Sequence, residues 1–330
     1  MRTVPLGRSG LNVSRLGFGC MGLAEFYGAP LSNRQAEAVL DAALARGINF
    51  FDTADMYGSG RNEEQLSGFL KRRRDEVVLA TKFAVRRGPN GEWLGLSNDP
   101  KYIRQACEAS LKRLGVEVID LYYMHRRDRS VPVEDSVGAM AELVKQGKAR
   151  AIGLSEVSVE TLRKANAVHP IAAVQSEYSI VTREMEKAVI PACRELGVAF
   201  VAYSPLGRGL LTGAYRSEKD FSQGDYRMQA NPRFAGGALE KNLKLVDRIA
   251  EIAKQKGASP AQIALAWVLA KGEDIIPIPG TKKVERLEEN LGALAVTLSD
   301  EDVAAIERAA PPDAVVGARY PETSASSLDG

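Results

Sequence analysis

The sequence predicts a single closed (β/α)8 barrel, on three observations. About eight short apolar, β-leaning runs recur along 330 residues, and nearly every one is followed by a segment of helical period. The runs are short and largely apolar, which suits strands buried on both faces of a parallel sheet. No shift of composition and no linker divides the chain, and α/β barrels of this length form one domain, here residues 1–330. An open doubly wound sheet is the alternative arrangement of the same units.

Residues 3–17 read as a hairpin around the turn Gly7-Arg8-Ser9-Gly10, and a strand follows over residues 16–20. Ser32 with Gln35 makes a capping box, and Ala36, Val39, Leu40, Ala43 and Leu44 form a helical stripe that stops at Gly47. Then come a strand ending at Asp52, a helix over 62–71, a strand over 77–81 and a helix over 100–114 closed by Gly115. A strand over 118–124 and a helix over 133–146 complete the first half. The second half repeats the rhythm, with strands over 149–154, 172–175 and 198–203 and helices over 158–167 and 184–196. Residues 204–237 interrupt it as a long polar loop, and a loop of that length inside a compact domain is usually functional. Helices over 242–256 and 260–270, a last strand over 275–278 and a last core helix over 284–291 follow. The Pro-, Ser- and Gly-rich tail, residues 311–330, is expected to lie over the surface.

Net charge is +2, from 44 Lys and Arg against 42 Asp and Glu, which supports neither nucleic acid nor a membrane surface as partner. Lys71-Arg72-Arg73-Arg74 reads as a solvated helix end. Cys20, Cys107 and Cys193 have no paired spacing, so free thiols in a reducing, cytoplasmic compartment are expected. No signal peptide or membrane span is evident, and nothing in the sequence indicates an oligomer.

In a barrel the chemistry gathers at the C-terminal ends of the strands. There the chain places Asp52, Lys82 and His125 on neighbouring strands, with Tyr57 in the Gly- and Ser-rich turn after Asp52. The other histidine, His169, precedes a proline in a loop. A phenol is a weak acid until a nearby ammonium favours its phenolate. Tyr57 is therefore read as proton donor to a carbonyl oxygen, Lys82 as the group that lowers its pKa, Asp52 as the partner of Lys82, and His125 as a polariser of the same oxygen. Such a site needs a hydride from a cofactor. A metal-dependent isomerase or hydrolase would need a His/Asp/Glu cluster, which is missing, so no metal is expected. Gly17-Phe18-Gly19-Cys20-Met21-Gly22 fits G-x-G-x-x-G, but no helix opens at that turn, so the glycines are read as allowing close packing at the first strand.

These residues carry a resemblance. Leu16-Gly17-Phe18-Gly19, Phe51-Asp52-Thr53-Ala54-Asp55-Met56-Tyr57-Gly58, Ala80-Thr81-Lys82, Ser110-Leu111-Lys112-Arg113-Leu114-Gly115, Asp120-Leu121-Tyr122 with His125, Ala202-Tyr203-Ser204-Pro205-Leu206-Gly207, and Ile278-Pro279-Gly280-Thr281-Lys282 through Glu289-Asn290 resemble the aldo-keto reductases over nearly the whole chain. The likeness is to bacterial NADPH-dependent members near the potassium-channel β-subunit-like branch. It implies that the hairpin closes the barrel base, that Asp52, Tyr57, Lys82 and His125 are the catalytic tetrad, and that NADPH or NADP+ binds extended without a Rossmann domain. It implies reduction of small aldehydes or ketones to alcohols; a non-catalytic or weakly catalytic NADPH-binding partner or sensor of the same fold is the alternative.

The resemblance also distributes the cofactor contacts. Cys20 and Met21 lie near the cofactor, Ser155 and Gln175 hold the carboxamide, and Tyr203 stacks on the nicotinamide. Ser204 and Pro205 are cofactor contacts, and the Leu206–Gly213 stretch, with Arg208, lines the pyrophosphate, with the long loop after it folding over the cofactor. Gly280, Thr281, Lys282 and Arg286 supply backbone N–H groups and positive charge for the 2′-phosphate, and Glu289 and Asn290 touch the adenine. Phe26, Tyr27, Trp93, Met124 and Arg126 are the candidate substrate-lining residues. Glu156 stands where the family often has Asn, and Met124 where relatives tend to have Gln, so a carboxylate at 156 needs a partner and the pocket rim is altered at 124.

Overall fold

The computed structural model describes residues 1–88, 90–223, 225–322, 328 and 329. The chain begins with strands β1 (Thr3–Pro5) and β2 (Asn12–Ser14), an antiparallel hairpin in register Val4 to Val13. Its apolar residues Val4, Leu6, Leu11 and Val13 are buried against Phe50, Leu121, Val201 and Ile276 of the barrel strands, so the hairpin plugs one end of the barrel.

The barrel unit sequence opens with β3 (Phe18–Gly19), a single turn α1 (Met21–Ala24), α2 (Asn33–Ala45), β4 (Phe50–Asp52) and α3 (Arg61–Arg73). The Ser32/Gln35 capping box is present at the start of α2. The basic run at the end of α3 is a bridged surface: Arg72 pairs with Glu37 and Asp41, and Arg74 reaches the buried Asp120. Strand β5 (Val78–Phe83) runs past Lys82 and is followed by a small antiparallel hairpin, β6 (Val85–Arg87) and β7 (Trp93–Leu96). Next come α4 (Pro100–Leu114), capped by Asp99 and closed by Gly115 at φ 67°, β8 (Ile119–Met124), α5 (Val133–Lys145), β9 (Ala149–Ser155) and α6 (Val159–Val168).

The second half has β10 (Ala173–Glu177), α7 (Val189–Leu196), β11 (Ala199–Tyr203), the long excursion with its short α8 (Tyr226–Ala230), α9 (Ala238–Gln255), α10 (Pro260–Ala270), β12 (Ile275–Pro277) and α11 (Val284–Gly292). A further helix, α12 (Asp300–Ala309), starts from a Ser299/Asp302 capping box that the sequence reading passed over.

The barrel strands stand in the order β3-β4-β5-β8-β9-β10-β11-β12, each parallel to the next. Gly17 N–H donates to Pro277 O at 2.9 Å and Gly19 N–H to Pro279 O at 3.2 Å, which brings the two ends of the sheet together. The seam is tight: a Cβ on Gly280 would meet Gly19 O at 2.4 Å, and one on Gly19 would meet Ile278 O at 2.8 Å. Gly19 is therefore a packing glycine, as its context in the sequence suggested.

Side-chain alternation divides the core in two. Leu121 and Tyr123 of β8 point into the barrel with Ala80, Ala151 and Val201, while Tyr122 and Met124 point out to the helical layer with Phe83 and Val137. Gly153 on the neighbouring strand leaves room for the Tyr123 ring, which a Cβ would meet at 2.5 Å. Among the described residues no helix is long and apolar enough to cross a membrane, and no cluster of ligands could hold a metal ion.

Candidate active site

Backbone bonds between strand ends bring the four sequence-predicted catalytic residues together. Asp52 closes β4; just beyond it Thr53 N–H donates to Ala80 O at 2.9 Å and Asp55 N–H to Lys82 O at 3.1 Å. His125 follows β8 and donates its N–H to Phe83 O at 2.9 Å. Asn62, buried in the first turn of α3, accepts from Thr53 Oγ1 at 2.7 Å and donates to Cys20 O at 3.0 Å, tying the ends of β3 and β4 to the helix. The Tyr57 turn uses the left-handed Gly58 and Gly60 (φ 58° and 93°), and is clamped where Gly58 N–H donates to Glu25 and Arg87 donates to Met56 O.

Lys82 is fully buried. Its ammonium pairs with Asp52 Oδ1, donates to Thr53 O at 2.7 Å, and lies 3.4 Å from Tyr57 Oη. Gln175 Nε2 donates to the other Asp52 oxygen at 2.7 Å, so Gln175 supports the tetrad from inside the barrel. The Tyr57 and His125 rings meet edge to face at 5.8 Å. His125 Nδ1 is buried with no hydrogen-bond partner among the described residues.

Burial pushes the Asp52 carboxyl up and the Lys82 ammonium down, while the attraction between them limits both shifts. Burial also holds His125 well below 6.5, so the imidazole is neutral near pH 7. The sequence reading had Lys82 lowering the Tyr57 pKa. The phenol is instead pushed well up, first by burial and then by the Asp52 charge. The physical reason is that Lys82 directs its short bonds to Asp52 and Thr53 O, leaving Tyr57 a contact at the long limit of a hydrogen bond. Tyr57 is thus a protonated phenol. The Cys20 thiol is fully buried and raised well above its usual range, so its side chain offers a cofactor no surface; Met21 beside it is partly open.

The other predicted residues divide. Met124 is a correction: it is fully buried in the outer layer, because His125 and Tyr123 take the inward positions of the same strand and period-two alternation turns Met124 away from the pocket. Trp93 lies on β7 and is 60% exposed, so it is neither a core anchor nor held against the tetrad. Phe26 and Tyr27 lie on the rim, where Phe26 meets Tyr226 edge to face at 5.4 Å and the Arg227 guanidinium sits 5.0 Å from the Tyr27 ring. Lys282 donates to Tyr27 O and Ala29 O at 2.7 and 2.6 Å, so the long loop and the residues after β12 meet across this rim.

Ser155, at the end of β9, pairs with Gln175 in the middle of β10, and Tyr203 ends β11. After it the backbone turns left-handed at Ser204, Gly207, Arg208 and Gly209 (φ 49°, 57°, 58° and 94°), with Pro205 buried and Leu206 packed on the core. Successive turns of this kind aim backbone N–H groups into one concavity. Arg208 Nε is buried without a partner there, and neither Lys282 nor Arg286 has a carboxylate bonded to it among the described residues. That donor set fits a phosphate-bearing dinucleotide. Gly280 and Thr281 lead from the barrel seam into α11, where Asn290 is buried and Glu289 is partly open.

Sequence reasoning missed a layer of ion pairs over this mouth. Glu156, at φ 52°, accepts from Glu177 N–H at 2.9 Å and from Arg319 Nη2 at 2.8 Å, which supplies the partner its carboxylate required. Glu177 pairs with Arg208 and Arg233. Tyr320 bonds Tyr203, Oη to Oη at 2.8 Å, with the Arg208 guanidinium 4.8 Å from its ring. Asp329 pairs with Arg127 and bridges to Val157. The described part of the tail therefore inserts side chains into the barrel mouth and does not simply lie on the surface; residues 323–327 and 330 lie outside the described residues. A cavity of about 490 Å³ sits under it, lined by Arg233, Arg319 and Tyr320 and not by the tetrad. Glu177 could have been found by counting two residues on from Gln175 along the inward face of β10. Arg319 and Tyr320 carry no local signal.

The pattern that defines the Aldo/keto reductase family matches residues 15–311. The chain is 47% identical over 323 residues to "Probable aldo-keto reductase 1" of Glycine max, covering 97% of this chain and 92% of the relative. It is 49% identical over 321 residues to "Aldo-keto reductase yakc [NADP(+)]" of Schizosaccharomyces pombe, covering 96% and 94%. Among solved structures, the glycerol dehydrogenase AKR11B4 of Gluconobacter oxydans aligns with a TM-score of 0.84 at 29% identity, covering 94% of this chain and 96% of that one. The aldo-keto reductase AKR11C1 of Bacillus halodurans, in its holo form, aligns with a TM-score of 0.79 at 29% identity, covering 94% and 97%.

Proposed function

Because this chain belongs to the aldo/keto reductase family, we propose that it is an NADPH-dependent reductase of aldehydes or ketones in which Tyr57 gives the proton. The observation that carries the reading is the buried Asp52–Lys82 pair set against a protonated Tyr57 hydroxyl, held only by a long 3.4 Å contact from Lys82, and a neutral His125. NADPH supplies the hydride. The 280–286 segment and the Arg208 turn would hold its phosphates, and Ser155, Gln175 and Tyr203 its nicotinamide end.

The chain's own residues do the rest. The substrate oxygen lies between Tyr57 Oη and the His125 ring, where the phenol and a neutral imidazole N–H both donate. As charge grows on that oxygen, the Tyr57 proton moves to it. The phenolate left behind faces the Lys82 ammonium at 3.4 Å, and a contact that is weak to a phenol becomes a charge-assisted bond to a phenolate. Asp52 and Gln175 keep Lys82 from swinging toward Tyr57 early, so the stabilisation is reserved for the charged state. Exclusion of water by the tail and rim strengthens each of these interactions.

Tyr57→Phe tests this. It should lower kcat by about 10²- to 10⁴-fold, the range for loss of a positioned general acid, and leave the NADPH dissociation constant within about twofold. NADPH oxidation with a panel of aldehydes and ketones reads the first, and nicotinamide fluorescence the second. A variant with near wild-type turnover would overturn the assignment of Tyr57.

A further inference from the structure

Around the barrel mouth most buried or half-buried arginines have a carboxylate among the described residues. Arg208 and Arg233 pair with Glu177, Arg319 with Glu156, Arg127 with Asp329 and Arg227 with Asp225. Arg126, partly buried and next in the chain to His125, has no ion-pair partner among the described residues. Its Nη1 donates to His125 O at 2.7 Å and to Ser155 Oγ at 3.2 Å, which fixes the fork in place and leaves the other guanidinium donors uncommitted. The groups facing it are Tyr57, Tyr203, Tyr320 and Glu156, and its charge reaches His125 and Lys82. Glu156 is already taken by Arg319 and the Glu177 N–H.

We propose that Arg126 is a specificity-determining residue, an open guanidinium beside Tyr57 and His125 that binds a carboxylate carried by the carbonyl substrate. A guanidinium held in a partly dry pocket gains most from a planar anion that accepts two parallel N–H bonds. The phosphate groups of a dinucleotide have their own cations in Arg208, beyond β11, and in Lys282 and Arg286, beyond β12, across the mouth. The anion left for Arg126 is one that arrives with the reacting carbonyl, and the favoured substrates are short aldehydes or ketones that also bear an acid group.

The inference rests on the carbonyl-reductase reading, and the experiment separates the two. Steady-state kcat/KM is measured with NADPH for 4-carboxybenzaldehyde and 4-methylbenzaldehyde, which match in shape and differ in charge. The wild type should prefer the carboxylate by about 10- to 100-fold, as a charge-assisted bidentate contact implies. In Arg126→Met the preference should disappear, with the loss falling on the charged substrate. Arg126→Lys should restore part of it, since the charge returns without the fork. Binding of the product 4-(hydroxymethyl)benzoate to the NADPH complex, read by fluorescence, should weaken in the same order. A wild type that turns over both aldehydes without preference, or an Arg126→Met variant that loses both equally, would overturn the role of Arg126 alone. No turnover of any carbonyl would overturn the reductase reading and this inference with it.

Discussion

Removing the Arg319 guanidinium tests how the tail is anchored. In Arg319→Met the Glu156 carboxylate, whose side chain is 2% exposed, keeps one backbone donor, Glu177 N–H at 2.9 Å, and loses two guanidinium donors at 2.8 and 3.3 Å. Arg126 faces the same carboxylate without forming an ion pair to it, and its Nη1 anchors it to His125 O and Ser155 Oγ instead. Breaking a buried pair on one side costs about 3–5 kcal/mol. Arg319 itself is 11% exposed, so water can reach the vacated place and the lower end, about 3 kcal/mol, is the expected value. With an unfolding entropy of roughly 2.1 cal/mol/K per residue over 330 residues, that lowers Tm by about 4 °C. Neutralising the stranded carboxylate should recover much of the loss, so Glu156→Gln/Arg319→Met should be more stable than Arg319→Met by about 1–2 kcal/mol. Differential scanning calorimetry on the four proteins of the cycle reads both quantities. A single variant within about 0.5 kcal/mol of wild type, or a double variant no better than the single, would refute the reasoning that this pair is what holds Glu156 and the tail.

Two further outcomes follow from the site. Replacing Lys282 and Arg286 together by Met should weaken NADPH binding by about 10- to 100-fold and NADH by less than about threefold, because only the former carries the 2′-phosphate; equal losses in fluorescence titrations would place that phosphate elsewhere. His125 is held neutral by burial while the unfolded chain takes up a proton near pH 6.5, so the unfolded state binds more protons as pH falls below that value and stability declines by up to about 1.4 kcal/mol per pH unit. In His125→Gln that share of the slope should vanish between pH 6.5 and 5 in urea unfolding, and an unchanged slope would show that His125 accepts a proton in the folded protein.

Much of the barrel could be read from the chain because its signals are local. Eight apolar runs, the Ser32/Gln35 capping box and the stop at Gly115 each act within a few residues, and the structure has them where the sequence puts them. The tetrad was legible for a related reason. In a barrel a strand end is a place in space, so Asp52, Lys82 and His125 on consecutive strands become neighbours by topology alone. Met124 shows the limit of counting only along the chain: it precedes His125, yet the pleat points it the opposite way.

By itself, then, the sequence pointed to the alternating strand and helix units and to the four side chains at strand ends, since hydrophobic period and strand-end position are properties of short segments; the structure supplied the closure of the barrel. Only the tertiary structure decided how the charges there are shared. Arg319 and Glu156 are 163 positions apart, Tyr320 and Tyr203 117, and no spacing rule connects such pairs. Burial, which depends on every packed neighbour at once, decided the rest: it keeps the proton on Tyr57, keeps His125 neutral, commits Lys82 to Asp52, and leaves Arg126 as the open cation beside the site.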